Sequence, residues 1–130
     1  VYLVGGRAPL HLTSLGKLFL ADDNAAEVRA YSKRTGLPGK TLHSLTTLDA
    51  LEKELDIIRL KQVAYDREEA EIGLRCIAAP IRNDEARLVA GISVSAPSDR
   101  YNSDWMTAIQ ATAEEISLAL GYRAQKSLYK

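Results

Sequence analysis

Apolar positions along the chain change period several times, and each change marks an element. Val1 to Val4 is an apolar run that reads as the end of a strand, broken by Gly5-Gly6-Arg7-Ala8-Pro9. Thr13 or Ser14 then caps a short helix that carries Leu15, Leu18 and Phe19 and ends near Ala21. Asp22-Asp23-Asn24 closes that helix and caps a second, predicted from about Ala25 to Arg34 with Gly36 as its stop. Leu37 to Leu42 is a connection. Thr46 or Thr47 caps a third helix, in which Leu48, Leu51, Leu55 and Ile58 recur at spacings of three and four and form one apolar stripe.

Beyond that helix a short strand is predicted from Gln62 to Tyr65, followed by an acidic, loop-like stretch from Asp66 to Glu71. Leu74 to Ile81 and Leu88 to Ser95 read as two strands of a hairpin, joined by a turn region from Arg82 to Arg87. Ala96-Pro97-Ser98-Asp99 breaks the pattern, and Asn102 or Ser103 caps a long final helix through Leu120, closed by Gly121. Ile109, Ala113, Ile116 and Leu120 are its predicted buried stripe. The tail from Arg123 to Lys130 is polar and is expected to fray. Helices interspersed with a hairpin predict an α+β domain, an antiparallel sheet with helices against it.

With the turn centred on Asp84-Glu85, Cys76 falls opposite Ser93 and Leu74 opposite Ser95. Side chains alternate, so one face carries Leu74, Cys76, Ala78, Gly91, Ser93 and Ser95. The other carries Leu88, Ala90, Ile92 and Val94 with Ile77 and Ile81, and is expected to pack on helices. The first face is small and mildly polar, with two hydroxyls and a thiol, which suits the floor of a pocket for a small polar molecule. On the hairpin alone, the plainer reading is the commoner outcome: Ser93 and Ser95 face solvent and Cys76 is a small core residue. Leu12-Thr13-Ser14-Leu15-Gly16 offers a second wall, because a helix start exposes unpaired N–H groups that attract carboxylates, and Gly16 admits a close approach. By itself that segment is more often an ordinary cap.

Composition narrows the function class. The chain has 130 residues, one domain by size, and 46% of them are hydrophobic, enough for a core. Its 17 basic and 17 acidic residues balance, which argues against a phosphate-binding surface on this part of the protein. Cys76 is the only cysteine, so no internal disulfide forms, which fits a reducing, cytoplasmic setting. No apolar run is long enough for a membrane span, and the start is not a signal peptide. A beginning without methionine, inside an apolar run, reads as a piece of a longer chain.

Three stretches in order carry a resemblance: Ala8-Pro9-Leu10-His11-Leu12-Thr13-Ser14-Leu15-Gly16-Lys17-Leu18-Phe19-Leu20-Ala21, then Ala64 through Pro80 with its Glu68-Glu69 pair and Gly73-Leu74-Arg75-Cys76-Ile77-Ala78-Ala79-Pro80, then Val89-Ala90-Gly91-Ile92-Ser93-Val94-Ser95-Ala96-Pro97. With the ending Ile116-Ser117-Leu118-Ala119-Leu120-Gly121-Tyr122, the chain resembles the effector-binding domain of the IclR family of bacterial transcriptional regulators. The resemblance implies a GAF- or profilin-like α+β domain over residues 1–122, with 123–130 a polar tail. It also implies an earlier helix and strands of the same domain, an upstream winged helix-turn-helix domain that contacts DNA, homodimers or homotetramers, and a small organic acid as effector. Family members that bind glyoxylate or pyruvate use positions that match Thr13, Ser14, Leu15, Asp66, Cys76, Ser93, Val94 and Ser95 here. The chain departs from the family at Gln62 or Val63, where glycine is common, and at Leu15, where many small-acid binders carry a small residue. The effector is therefore expected to be a carboxylate, and not necessarily the same acid.

Other function classes fit the sequence less well. An enzyme would use Cys76 as nucleophile with His11 or His43 as base, but nothing in the sequence places either histidine beside it. A metal site would draw on Asp66, Glu68, Glu69 and Glu71, though an acidic run is more often a solvated loop. A dimerisation module without ligand would rely on the final helix. The expectation is a regulator with no catalytic residues, no cofactor and no bound metal.

Overall fold

A computed structural model describes residues 4–124 of the chain. The predicted strand end at Val1 to Val4 and most of the polar tail lie outside those residues, and Val4 itself stands in a turn. The elements are α1 (Ser14–Asp22), α2 (Ala25–Thr35), α3 (Leu48–Lys61), β1 (Ala64–Arg67), β2 (Leu74–Arg82), β3 (Leu88–Pro97) and α4 (Trp105–Ala119), with a short 3-10 turn at Leu10–Leu12 ahead of α1. The strands form one antiparallel sheet in the order β1-β2-β3. Helix α1 packs across all three strands and against α3, while α4 packs on the opposite side against β2 and β3. This is the α+β class that the pattern predicts.

Local chemistry explains the helix boundaries. Thr13 Oγ1 accepts from Gly16 N and Thr47 Oγ1 from Ala50 N. Asn24 and Glu27 form a reciprocal capping box. Gly36 ends α2 in the left-handed conformation, at φ 71°. Gln62 does the same for α3 at φ 56°, which explains why glycine suits that position and why β1 begins at Ala64 rather than at Gln62.

Two cores flank the sheet. On one side Leu18, Leu20, Val28, Tyr31, Leu51, Leu55 and Ile58 pack with Ala64 and Ala78. Leu51 and Leu55 are fully buried, each stabilising the fold by roughly 1.5–3 kcal/mol relative to an exposed side chain. Phe19, one of the apolar residues that the first helix carries, is 38% exposed. On the other side Val63, Ile77, Ala79 and Ile81 pack with Ile109 and Ala113 of α4.

The hairpin register differs from expectation. Cys76 pairs with Ser95, Ala78 with Ser93 and Leu74 with Pro97, so β3 is displaced by two positions. Two features cause this: a turn over Asn83 to Arg87, held by Asn83 N to Arg87 O at 3.0 Å, and a bulge between Ile81 and Arg82. An even displacement preserves the faces. Leu88 is the exception: beyond the bulge it joins the α1 side instead of the predicted α4 side. The bulge also redirects α4. Arg82 N donates to Ser117 Oγ at 3.0 Å, so the buried stripe is Ile109, Ala113 and Ser117, while Ile116 and Leu120 are 37% and 46% exposed.

Candidate functional site

The corrected register aligns three polar side chains in one row across the sheet: Asp66 on β1, Cys76 on β2 and Ser95 on β3. Directly paired residues on one face stand about 4.5–5.5 Å apart, so the three groups can touch one small ligand. Cys76 Sγ and Ser95 Oγ are already 2.9 Å apart. The next row is Ala64, Ala78 and Ser93, two small residues and a second hydroxyl. Both rows face α1. Val94, between the serines, pairs with Ile77 and points to the α4 side, so only its main chain can serve this face.

Helix α1 bridges the row at both ends. Its half-buried Leu15 lies on Gly91 of β3, where an added Cβ would meet Leu15 Cδ2 at 2.5 Å, so the glycine leaves room for that side chain beneath the helix start. Ser14 is buried at the same end. The cap engages Gly16 N, and the first intrahelical bond runs from Lys17 N to Thr13 O at 3.0 Å. The N–H groups of Ser14 and Leu15 therefore lie outside the helix's own bonding, available to an acceptor. Gly16 has a different reason: a Cβ there would collide with the Leu10 carbonyl and Thr13 Oγ1, so the close approach is by the chain's own backbone. Ser93 and Ser95 are exposed while Ser14 and Asp66 are buried, which makes the site an open face with a buried polar wall.

The hydrophobic pattern of the sequence does not mark that wall. The acidic stretch, expected as a solvated loop, turns inward. Lys17 Nζ, fully buried, donates to Glu69 Oε1 at 2.9 Å and Oε2 at 3.1 Å, and to Glu54 Oε2 on α3 at 3.2 Å. Glu69 Oε2 also accepts from Arg67 N at 2.9 Å, and Glu69 N donates to Asp66 Oδ1 at 2.8 Å. Thr41 and Ser44 hydroxyls donate to the Glu68 and Glu69 carbonyls, each at 2.6 Å. A buried lysine thus ties α1 to the segment that holds Asp66. The available signal was a lysine set between the buried positions of a short apolar helix, with a Glu-Glu pair elsewhere to receive it.

Electrostatics set the protonation of the row. Burial, the largest cause, pushes the Asp66 carboxyl above its ordinary value; the Glu69 charge adds to this, and the Glu69 and Ala70 N–H groups and Lys17 work against it. Burial likewise pushes the Cys76 thiol up, with Asp66 adding and Ser95 opposing. A thiol held neutral is a hydrogen-bonding group rather than a nucleophile. Neither histidine serves it. His11 is buried, its Nδ1 2.8 Å from Tyr31 Oη and its Nε2 2.9 Å from the Pro38 carbonyl, and His43 stands in an exposed loop. Among the described residues no group of three or more His, Cys, Asp and Glu side chains converges as metal ligands would, and no helix is long and apolar enough to cross a membrane.

Known proteins match this geometry and sequence together. The family described as bacterial transcriptional regulator IclR C-terminal matches residues 1–118. The HTH-type transcriptional regulator KdgR of Dickeya chrysanthemi is 33% identical over 123 residues, covering 92% of this chain and 40% of that protein. The HTH-type transcriptional repressor AllR of Escherichia coli K12 is 36% identical over 125 residues, covering 93% and 46%. The chain therefore spans less than half the length of these curated relatives. The crystal structure of the C-terminal domain of E. coli KdgR superposes with a TM-score of 0.78 at 34% identity, covering 90% of this chain and 74% of that one. The inducer-binding domain of a PobR double mutant from Acinetobacter, in complex with 3-hydroxybenzoic acid, gives 0.79 at 26% identity, covering 87% and 67%. These relatives are regulators, not enzymes.

Proposed function

The chain belongs to the IclR family of bacterial transcriptional regulators, as their C-terminal domain, and from that premise we propose that it binds a small carboxylate on the face between α1 and the row Asp66–Cys76–Ser95. The carboxylate meets the Ser14 and Leu15 N–H groups at the start of α1. A hydroxyl or hydrated carbonyl of the same molecule reaches Asp66, Cys76, Ser93 and Ser95. In the full-length, cytoplasmic regulator, occupancy alters operator binding through a winged helix-turn-helix domain, within a homodimer or homotetramer.

The observation that carries this reading is the row itself, an acceptor and two switchable donors in line beneath an uncompensated helix start. Asp66 in such a site disfavours a bare anion and favours a molecule that offers it a hydrogen, which selects hydroxy or hydrated keto acids over plain carboxylates. The PobR relative's complex with a hydroxy acid supports that chemistry.

A thermal-shift panel of two- to eight-carbon keto, hydroxy and aromatic acids on the full-length protein tests it. An acid at about a hundredfold over its dissociation constant stabilises by roughly 2.7 kcal/mol. A flat response across the panel from a folded protein would contradict the proposal. A second reading, a domain that only joins copies of the chain, draws support from Ile116, Leu118 and Leu120, which are 37%, 47% and 46% exposed around the end of α4. That reading predicts the flat response.

A further inference from the structure

The α4 side of the sheet carries a second polar cluster that the effector reading does not use. Arg67 and Arg75 are direct cross-strand partners between β1 and β2. Like charges in that position repel and destabilise a sheet unless something neutralises them. The protein's own carboxylates do so incompletely. Glu68 Oε2 lies 3.9 Å from Arg75, while Glu68 Oε1 accepts from Gly73 N at 2.7 Å. Asp66 is turned to the other face, where Glu69 N engages it. No carboxylate among the described residues pairs with the Arg67 guanidinium.

An aromatic ring nonetheless lies near each guanidinium group. Arg67 lies 4.3 Å from the Tyr65 ring centroid and Arg75 lies 6.0 Å from that of Tyr101, which in turn packs edge-on against Trp105. At 4.3 Å the Tyr65 ring can fix the plane of the Arg67 guanidinium and leave its N–H edge free, while Tyr101 stands at the outer reach of a cation–π contact with Arg75. The Arg75 Nε is buried and has no hydrogen-bond partner, a donor that ordinarily requires one. A cavity of about 230 Å³ opens here, walled by Tyr65, Arg67, Arg75, Tyr101 and Ser103, with Asp66 and Cys76 completing its lining.

We propose that this cavity is a second anion site, in which the paired guanidinium groups of Arg67 and Arg75 hold a small oxyanion of carboxylate or phosphate type. A planar or tetrahedral oxyanion accepts from two forks at once, relieves the Arg–Arg repulsion and supplies the acceptor that Arg75 Nε lacks. The volume suits an inorganic oxyanion or a short-chain acid. Its guanidinium groups stand on the opposite face from the effector row, because Tyr65, Arg67 and Arg75 alternate with Ala64, Asp66 and Cys76 along the same strands, although Asp66 and Cys76 border both sites.

The test titrates the full-length regulator, labelled with nitrogen-15 in arginine, separately with inorganic phosphate and with acetate at constant ionic strength. The Arg75 Nε–H resonance, assigned by its loss in Arg75→Gln, is expected to shift saturably. Arg67→Gln should weaken that binding about tenfold or more, since a charge-assisted pair is lost. Arg87→Gln, whose side chain is 75% exposed in the hairpin turn, should leave it unchanged. Tighter phosphate assigns a phosphate-type ligand, and tighter acetate a carboxylate. No saturable shift with either probe, or a shift equally strong in Arg67→Gln, overturns the site.

Discussion

On the side of the sheet covered by α1 and α3, the buried residues include His11, Ser14, Lys17, Asp66 and Glu69; on the side covered by α4, the buried polar residue among those described is Ser117. The buried seam under α4 is apolar, with Ser117 satisfying the N–H freed by the bulge at Arg82, and the Arg67–Arg75 pair on that face lies outside the seam, partly exposed. The α1 side encloses charges that an apolar substitute could replace at little loss of stability, since desolvation offsets most of what a buried ion pair gains. What the Lys17–Glu69 pair supplies is position. It joins α1 to the backbone of residues 67–69 and so fixes where Asp66 stands relative to the start of α1. The α4 seam holds the domain together without buried charge, and the α1 face buries the charges that position Asp66.

The largest effects come from breaking each side at its centre. Lys17→Met leaves Glu69 charged and buried with Glu54 beside it, and should destabilise by about 3–5 kcal/mol in urea denaturation. Adding Glu69→Gln should restore part of that loss. A loss under about 1 kcal/mol for Lys17→Met would mean that the pair does not organise this face. Ile109→Ala, in the α4 seam, should cost roughly 2–5 kcal/mol. If the two sides divide labour as argued, effector affinity in the folded Ile109→Ala protein stays at the wild-type value.

A smaller effect is expected at Asp66, and it depends on pH. The folded carboxyl titrates above its unfolded value, so its favourable contribution is fully present below the unfolded pKa and is lost as pH rises through the folded one. Asp66→Asn keeps an acceptor for Glu69 N without the charge. It should therefore be more stable relative to wild type near about pH 7, with the difference shrinking toward roughly pH 3. Denaturation midpoints across that range check the sign. The same variant should lose discrimination between acids with and without a hydroxyl. The smallest effects belong to Ser93→Ala and Ser95→Ala, each weakening effector binding by about 0.5–1.5 kcal/mol in calorimetry with little change in stability.

What the sequence made legible was local. Thr13, Asn24 with Glu27, Gly36 and Thr47 act within a few residues of themselves, and the helix limits follow from them. The two faces of the hairpin were legible as well, because alternation survives an even shift in register. The shift itself was not. The bulge that contributes to it is satisfied by Ser117, 35 residues away, and the same contact rotates α4 so that Ile116 and Leu120 leave the buried stripe. The row of Asp66, Cys76 and Ser95 could be named residue by residue through the family resemblance, yet its alignment depended on that register. Lys17 was hidden for a similar reason: its partner Glu69 is 52 residues distant, and neither residue's own neighbourhood shows that both are buried.

The measurement closest to the central claim is the rate of Cys76 alkylation in the full-length protein, followed by mass spectrometry of the peptide that carries it. Cys76 stands in the middle of the row, half-buried and within 2.9 Å of Ser95 Oγ. With increasing concentration of the acid identified in the thermal panel, the rate should fall toward zero, with half-protection at the dissociation constant found by calorimetry. A Cys76 rate unchanged at saturating acid would place the effector elsewhere and contradict the account.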